Sequence, residues 1–125
     1  CIFEQIIMKS FEVLVMVGAY IIIFSIIAHI ILTINIPDIY TVIATGILEI
    51  TTGANLLSDV SLPDIYKYVI AAGICGFGGM SAILQSKGVI CSSGLSITKY
   101  ILHKIICAVI CCILCYMYIM IRVRL

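Results

Sequence analysis

The sequence predicts an all-α membrane protein with about four transmembrane helices, two of them interrupted by glycine. Of its 125 residues, 64% are hydrophobic and only 10% are charged, whereas soluble domains carry about 25% charged residues. Apolar runs almost free of charge recur along the chain, and about 20 helical residues suffice to cross the ~30 Å hydrocarbon core of a bilayer. Glycine clusters within two of these runs. The chain is therefore predicted to lie in the lipid bilayer, which is its first predicted partner.

Four segments carry this prediction. The spans are expected at about residues 11–36, 40–57, 64–86 and 99–121. The first has no charged residue from Val13 to Leu32 and ends before Pro37, which cannot continue a helix. The last has none from Ile105 to Ile121.

The second segment differs from the others because an acidic residue, Glu49, stands near its middle. The following Thr51–Gly53 is poor helix material, and glycine permits the backbone to unwind. Irregular backbone at membrane depth persists only against protein or a wet cavity. The sequence therefore predicts a helix that is interrupted at about Thr51–Asn55.

The third segment is rich in glycine between Gly73 and Gly79. Small residues four apart let helices approach closely in lipid. The run indicates tight helix packing, either alone or together with a second role, in which a kinked helix lines the site around Glu49. Ser81 and Gln85 share a helical face within the span, which favours the combined interpretation. The predicted helix-break and packing residues are Gly46, Gly53, Gly73, Gly76, Gly78 and Gly79.

Glu49 is the strongest candidate for function. A charged residue at the centre of a membrane helix costs ~2.5–3.5 kcal/mol, and such residues usually face a bundle interior or water. The alternative is a structural glutamate that is protonated or hydrogen-bonded. Thr51 and an unwound turn would add further polar groups. The predicted solute- or ion-binding residues are Glu49, Thr52, Asn55, Ser81 and Gln85.

Several other functions are disfavoured. A net charge of +1 argues against a general basic surface for nucleic acid. No nucleophile stands beside an evident base, so no catalytic residue is predicted and the chain is not expected to be an enzyme. One helical stripe contains His103, Cys107, Cys111 and Cys115. Four ligands stacked along one helix cannot converge on one tetrahedral zinc ion, so apolar packing is predicted, with no metal and no cofactor. Lys99 and Lys104 are expected to reach the lipid headgroups.

Two motifs carry a family resemblance. The run Gly46-Ile-Leu-Glu49-Ile-Thr-Thr-Gly53, followed by Gly76-Phe-Gly-Gly-Met-Ser81 and Gln85, resembles the sporulation integral membrane proteins of endospore-forming bacteria. These proteins carry a nucleoside recognition, or Gate, domain, and the resemblance covers about residues 2–118. It implies that residues 1–125 are the C-terminal part of a multi-span Gate-type domain in the bacterial cell or forespore membrane. The N-terminal half of the same protein would then be a partner.

The resemblance also implies a function. In this family the proposed activity is movement of dipicolinic acid across a forespore membrane during spore formation. The domain is distantly similar to concentrative nucleoside transporters, where a glutamate on an interrupted helix and a Gly-Phe-Ala-Asn-Phe-Ser-Ser motif contact the nucleoside. The positions that match are Glu49, Gly76, Phe77 and Ser81. Gly79 and Ala82 replace the Asn and the second Ser of that motif, so two sugar-contacting positions are lost, which favours a different small polar solute.

A dianionic solute next to Glu49 meets like-charge repulsion. We therefore expect Glu49 to be protonated or to bind a proton or cation that accompanies the solute. Three functions remain open at this point: a transporter subdomain, a non-transporting assembly protein for spore maturation, and a membrane enzyme that uses the cysteines. The central carboxylate and the two glycine-rich spans favour the transporter.

Overall fold

The computed structural model describes residues 2–34, 36–94 and 96–124, with the side chains of all of these except 88–92 and 124. Within these ranges the chain forms six α-helices and no strand, which confirms the predicted all-α class. The helices are α1 (Ile2–Leu32), α2 (Asp38–Leu48), α3 (Ile50–Asp59), α4 (Asp64–Phe77), α5 (Gly79–Ser92) and α6 (Ile97–Arg124).

Three described stretches are long and apolar enough to cross a membrane. They are Ile2–Leu32, Asp64–Lys87 and Ile97–Val123. Large apolar side chains point outward along them, as with Leu14 at 67% exposure and Leu114 at 60%. A helix that is hydrophobic on all sides belongs in lipid. The expected count of four spans is not confirmed, because segment 40–57 forms two short helices rather than one long helix.

These two short helices, α2 and α3, fold back on each other. The 11 residues of α2 rise only about 16 Å, roughly half the hydrocarbon thickness. Gly46 lies against Gly53, and Val42 shares a core cluster with Leu57. The residue numbers of these facing pairs fall along α2 as they rise along α3, which defines an antiparallel pair. We call it the α2–α3 hairpin, and Glu49 is its tip.

The predicted interruption at Thr51–Asn55 is wrong, because these residues are helical and the chain breaks at Glu49 instead. The two threonines begin α3, since their backbone N–H groups bond to the Glu49 side chain. Gly53 does not unwind the helix. It allows contact between α2 and α3, because a Cβ at this position would overlap backbone atoms of Gly46.

The hairpin packs on α4. Ile74 of α4 is 6% exposed and joins Val42 and Leu57 in the core cluster. It lies directly against Gly46, where a Cβ would come within 2.8 Å of the Ile74 Cγ1 atom. This packing brings the middle of the third segment close to the hairpin tip.

The small-residue face of α4 packs against α6. A Cβ at Gly73 would lie 2.7 Å from Cys112 Sγ, and one at Gly76 would lie 3.0 Å from Ala108 Cα. The numbering rises along α4 while it falls along α6, so the two helices are antiparallel. The close helix approach that the glycines predict is thus formed within the chain.

Alanine at Gly76 is expected to destabilise the protein more than alanine at Gly73. The new Cβ at Gly76 meets the backbone of Ala108, whereas at Gly73 it meets only a thiol that can rotate. Overpacking costs about 1–3 kcal/mol, and the higher helix propensity of alanine returns at most about 1 kcal/mol. Thermal unfolding of the full-length protein in detergent should therefore show a lower midpoint for Gly76→Ala. Equal midpoints would show that α6 does not sit tightly on this face.

Candidate functional site

Glu49 is a single extended residue between two helices. Its backbone has φ −147° and ψ 121°. Its N–H donates to Thr45 O at 2.7 Å, which ends α2, and its carbonyl accepts from Gly53 N at 3.2 Å, which begins α3. The residue is 8% exposed. The sequence-predicted carboxylate is thus buried, and it sits at the break itself.

The Glu49 side chain turns back over the first turn of α3. Its Oε2 atom accepts from Thr51 Oγ1 at 2.6 Å, Thr52 N at 2.7 Å and Thr52 Oγ1 at 2.7 Å. Its Oε1 atom accepts from Thr51 N at 3.0 Å. A carboxylate at a helix N-terminus satisfies free N–H groups and complements the positive end of the helix dipole. Glu49 therefore caps α3, and Oε1 retains acceptor capacity.

A second break lies at Gly78, between α4 and α5. Gly78 is left-handed, with φ 84°, and its N–H donates to Ile74 O at 3.0 Å. Gly79 follows with φ 72°. Two successive residues at positive φ are readily tolerated only by glycine. The run of glycines in the sequence therefore contains both packing positions and a turn of the backbone.

The two breaks touch each other. A Cβ at Gly79 would lie 3.3 Å from Ile50 Cγ1, 3.5 Å from Leu48 O and 3.6 Å from Ile50 N. Leu48 and Ile50 are the neighbours of Glu49 on either side, so the first residue of α5 lies against the hairpin tip. The ends of four helices meet here, and helix ends carry opposite partial charges. Any side chain at Gly79 would intrude between the two breaks.

The other predicted site residues divide into two groups. Thr52 belongs to the Glu49 hydrogen-bond cluster, and Thr51 joins it. Ser81, 6% exposed, accepts a hydrogen bond from Gln85 Nε2 at 3.1 Å near the start of α5. No hydrogen bond within the described part of the chain joins this pair to the Glu49 cluster. Asn55 is exposed on α3, and its backbone carbonyl accepts from Ser58 Oγ at 2.6 Å, so it lies outside the cluster.

Lys104 is a charged residue at this site that sequence reasoning missed. The sequence predicts that it reaches the lipid headgroups, and in the structure its ammonium group lies beside Gly78, where a Cβ would come within 3.1 Å of Lys104 Nζ. The ammonium also lies 5.7 Å from the centroid of the Tyr100 ring. No local sequence pattern signals this position, because Lys104 and Gly78 come from different helices.

The cysteine stripe of α6 is partly used in packing. Cys111 and Cys112 are half-buried against the glycines of α4, and Cys112 Sγ donates to Val69 O at 3.4 Å. Cys107 is exposed and Cys115 is half-buried. The described residues contain no cluster of three His, Cys, Asp or Glu side chains able to hold a metal ion.

Comparison with known proteins gives one informative match. The sporulation integral membrane protein YlbJ of Bacillus subtilis is 23% identical over 116 aligned residues, which cover 78% of this chain and 28% of the relative. The chain thus spans little more than a quarter of that relative's length. No family model matches the chain, and no solved structure matches it. The match supports the sporulation membrane protein family, and with the three apolar helices it supports an integral membrane location.

Proposed function

We propose that this chain is the substrate-handling part of a sporulation membrane transporter that moves a small polar solute, with Glu49 at the site. The observation that carries this proposal is the contact between Gly79 and the residues flanking Glu49. Transporters commonly bind solutes and coupling ions near the bilayer midplane, where interrupted helices expose their ends. Two interrupted elements that meet at the residues flanking a buried glutamate fit that arrangement.

The two breaks offer partners for both signs of charge. The last turn of α2 leaves backbone carbonyls without intrahelical partners, and among the described residues Glu49 Oε1 accepts one hydrogen bond. Together these oxygens suit a proton or a cation. The first N–H groups of α5 carry positive partial charge, which suits an anionic group. Ser81 and Gln85 follow within two turns and would shape the solute space.

The family resemblance implies dipicolinic acid as the solute. This small dicarboxylate would be repelled by the Glu49 carboxylate in a low dielectric. In our proposal Glu49 therefore binds a proton or cation that moves with the solute. Gly79 stands where the distantly similar nucleoside transporters have an Asn, and it fills the space between the breaks with backbone alone, which supports a solute other than a nucleoside.

Uptake by the full-length protein in a heterologous cell tests this proposal. Glu49→Gln is expected to reduce dipicolinate uptake at least tenfold, because the amide cannot balance a coupling cation and places an NH₂ group near the N–H of Thr51. Glu12→Gln is the matched control, since Glu12 is exposed on α1. Normal uptake by Glu49→Gln would remove this residue from the mechanism.

The rival proposal of an assembly protein was motivated by the small residues of the third segment. Gly73 and Gly76 pack against α6 within the chain, so this face is accounted for without a partner protein. The two proposals differ in the effect they predict for Glu49→Gln. A pure assembly role predicts that Glu49→Gln is harmless to spore maturation, whereas the transporter predicts a defect with the protein still correctly folded.

A further inference from the structure

Lys104 brings a positive charge into the first half of a helix that is long and apolar enough to cross a membrane. It lies seven residues after Ile97, the first residue of α6, a distance of about 10 Å along the helix axis. Its side chain is half-buried and runs toward α4. Gly78 has no Cβ, and this allows the ammonium group to approach the backbone at the second break.

This ammonium group has no carboxylate partner among the described residues, and its aromatic neighbour is Tyr100. The Glu49 carboxylate is directed to the first turn of its own helix, α3. A lysine inside a membrane span is costly, and such residues are usually paired or functional.

Adjacent residues connect this ammonium group to the Glu49 site. Gly78 lies against Lys104, and Gly79 lies against Leu48 and Ile50. The ammonium group and the residues on either side of Glu49 therefore flank one two-residue break. A solute at this crossing would meet Lys104 together with the positive N-terminal end of α5.

We propose that Lys104 binds the carboxylate of an anionic solute at the Gly78 break and makes this site selective for small organic anions. The inference rests on the proposed transport function and deepens it by assigning the residue that recognises the charge of the solute. An ammonium group forms strong charge-assisted hydrogen bonds with carboxylates. A purely structural Lys104 would instead stabilise the C-terminal end of α4 and would not distinguish solutes.

Ligand binding to the purified full-length protein, held in nanodiscs of neutral phosphatidylcholine, separates these roles. The probes are dipicolinate and its neutral diamide, and affinity is read from the ligand-induced rise in the thermal unfolding midpoint. Lys104→Gln is expected to weaken dipicolinate binding at least tenfold and to abolish the preference over the diamide. Lys104→Arg should stay within about threefold of wild type because the charge is retained. Lys99→Gln, an exposed position on the same helix, should bind like wild type.

Each other outcome overturns the inference. Wild-type affinity in Lys104→Gln, or no dipicolinate binding by the wild-type protein, excludes Lys104 as an anion-binding residue. A lower ligand-free midpoint with an unchanged ligand-induced rise assigns a structural role. A Lys104 effect that appears only in nanodiscs containing phosphatidylglycerol assigns the ammonium to a lipid headgroup.

The transport proposal fails separately. If Lys104-dependent binding is present but the wild-type protein shows no dipicolinate uptake, the proposed anion site is retained and the proposed transport function is rejected. If uptake depends on Glu49 but Lys104→Gln takes up dipicolinate as well as Lys99→Gln does, the proposed transport function is retained and the proposed role of Lys104 is rejected.

Discussion

Valine in place of Gly53 is expected to open the α2–α3 hairpin and to lower the stability of the full-length protein by about 3 kcal/mol or more. A Cβ at this position overlaps the Gly46 backbone and lies 3.3 Å from Val42 O. Backbone atoms cannot rotate away, so α2 and α3 would have to separate. Separation would also remove Leu57 from its contact with Val42, which adds lost apolar burial to the cost. The midpoint of thermal unfolding in detergent measures the effect.

Gly18→Val is the matched control for this substitution. Gly18 also lies in a helix, but a Cβ there meets nothing within 4 Å. Its midpoint should stay close to that of the wild type. Gly46→Ala should fall between the two, because the new Cβ would meet the flexible side chain of Ile74. Equal midpoints for Gly53→Val and Gly18→Val would show that the hairpin is not closely packed.

The helical membrane character of the chain was predictable from hydropathy alone, but the number of spans was not. Segment 40–57 has the length and composition of a spanning helix, and nothing in its local sequence shows that its halves pack on each other. That packing depends on Gly46 and Gly53 meeting face to face, a contact between helices. Single-helix periodicity contains no information about such contacts.

The break was predicted in the right segment and at the wrong residues. Thr51–Gly53 has low intrinsic helix propensity, and the prediction weighted this too strongly. The Glu49 carboxylate supplies acceptors for both threonines, so the same residues begin a helix instead of ending one. Glutamate is not among the commonest N-cap residues, so the usual sequence signature was missing.

Only some of the residues that form the site were predictable from the sequence. Glu49 was found because a carboxylate in an apolar run is costly wherever it lies. The contact of Gly79 with Leu48 and the approach of Lys104 to Gly78 join residues at least 26 positions apart. Both depend on how the third segment bends at its glycines, and composition and spacing do not determine that bend.

Alanine at Glu49 is expected to have the largest effect at the site. It removes all four hydrogen bonds that hold the first turn of α3. The threonine hydroxyls can turn to other acceptors, but the N–H groups of Thr51 and Thr52 would be left without their partner. Because these groups are part-buried, the expected loss is that of a missing N-cap, about 0.5–2 kcal/mol. Thermal unfolding of the full-length protein should show it, and solute uptake should be lost as well.

The variant Glu49→Asp distinguishes the two roles of Glu49, capping of α3 and binding at the proposed transport site. Aspartate is a preferred N-cap residue, so Glu49→Asp should recover most of the stability that Glu49→Ala loses. Its side chain is shorter by one methylene, so its carboxylate lies closer to the backbone of the hairpin tip. If Glu49 only caps α3, uptake will recover together with stability. We expect stability to recover while uptake stays low, because the shorter side chain displaces the carboxylate that binds the coupling cation in the proposed site.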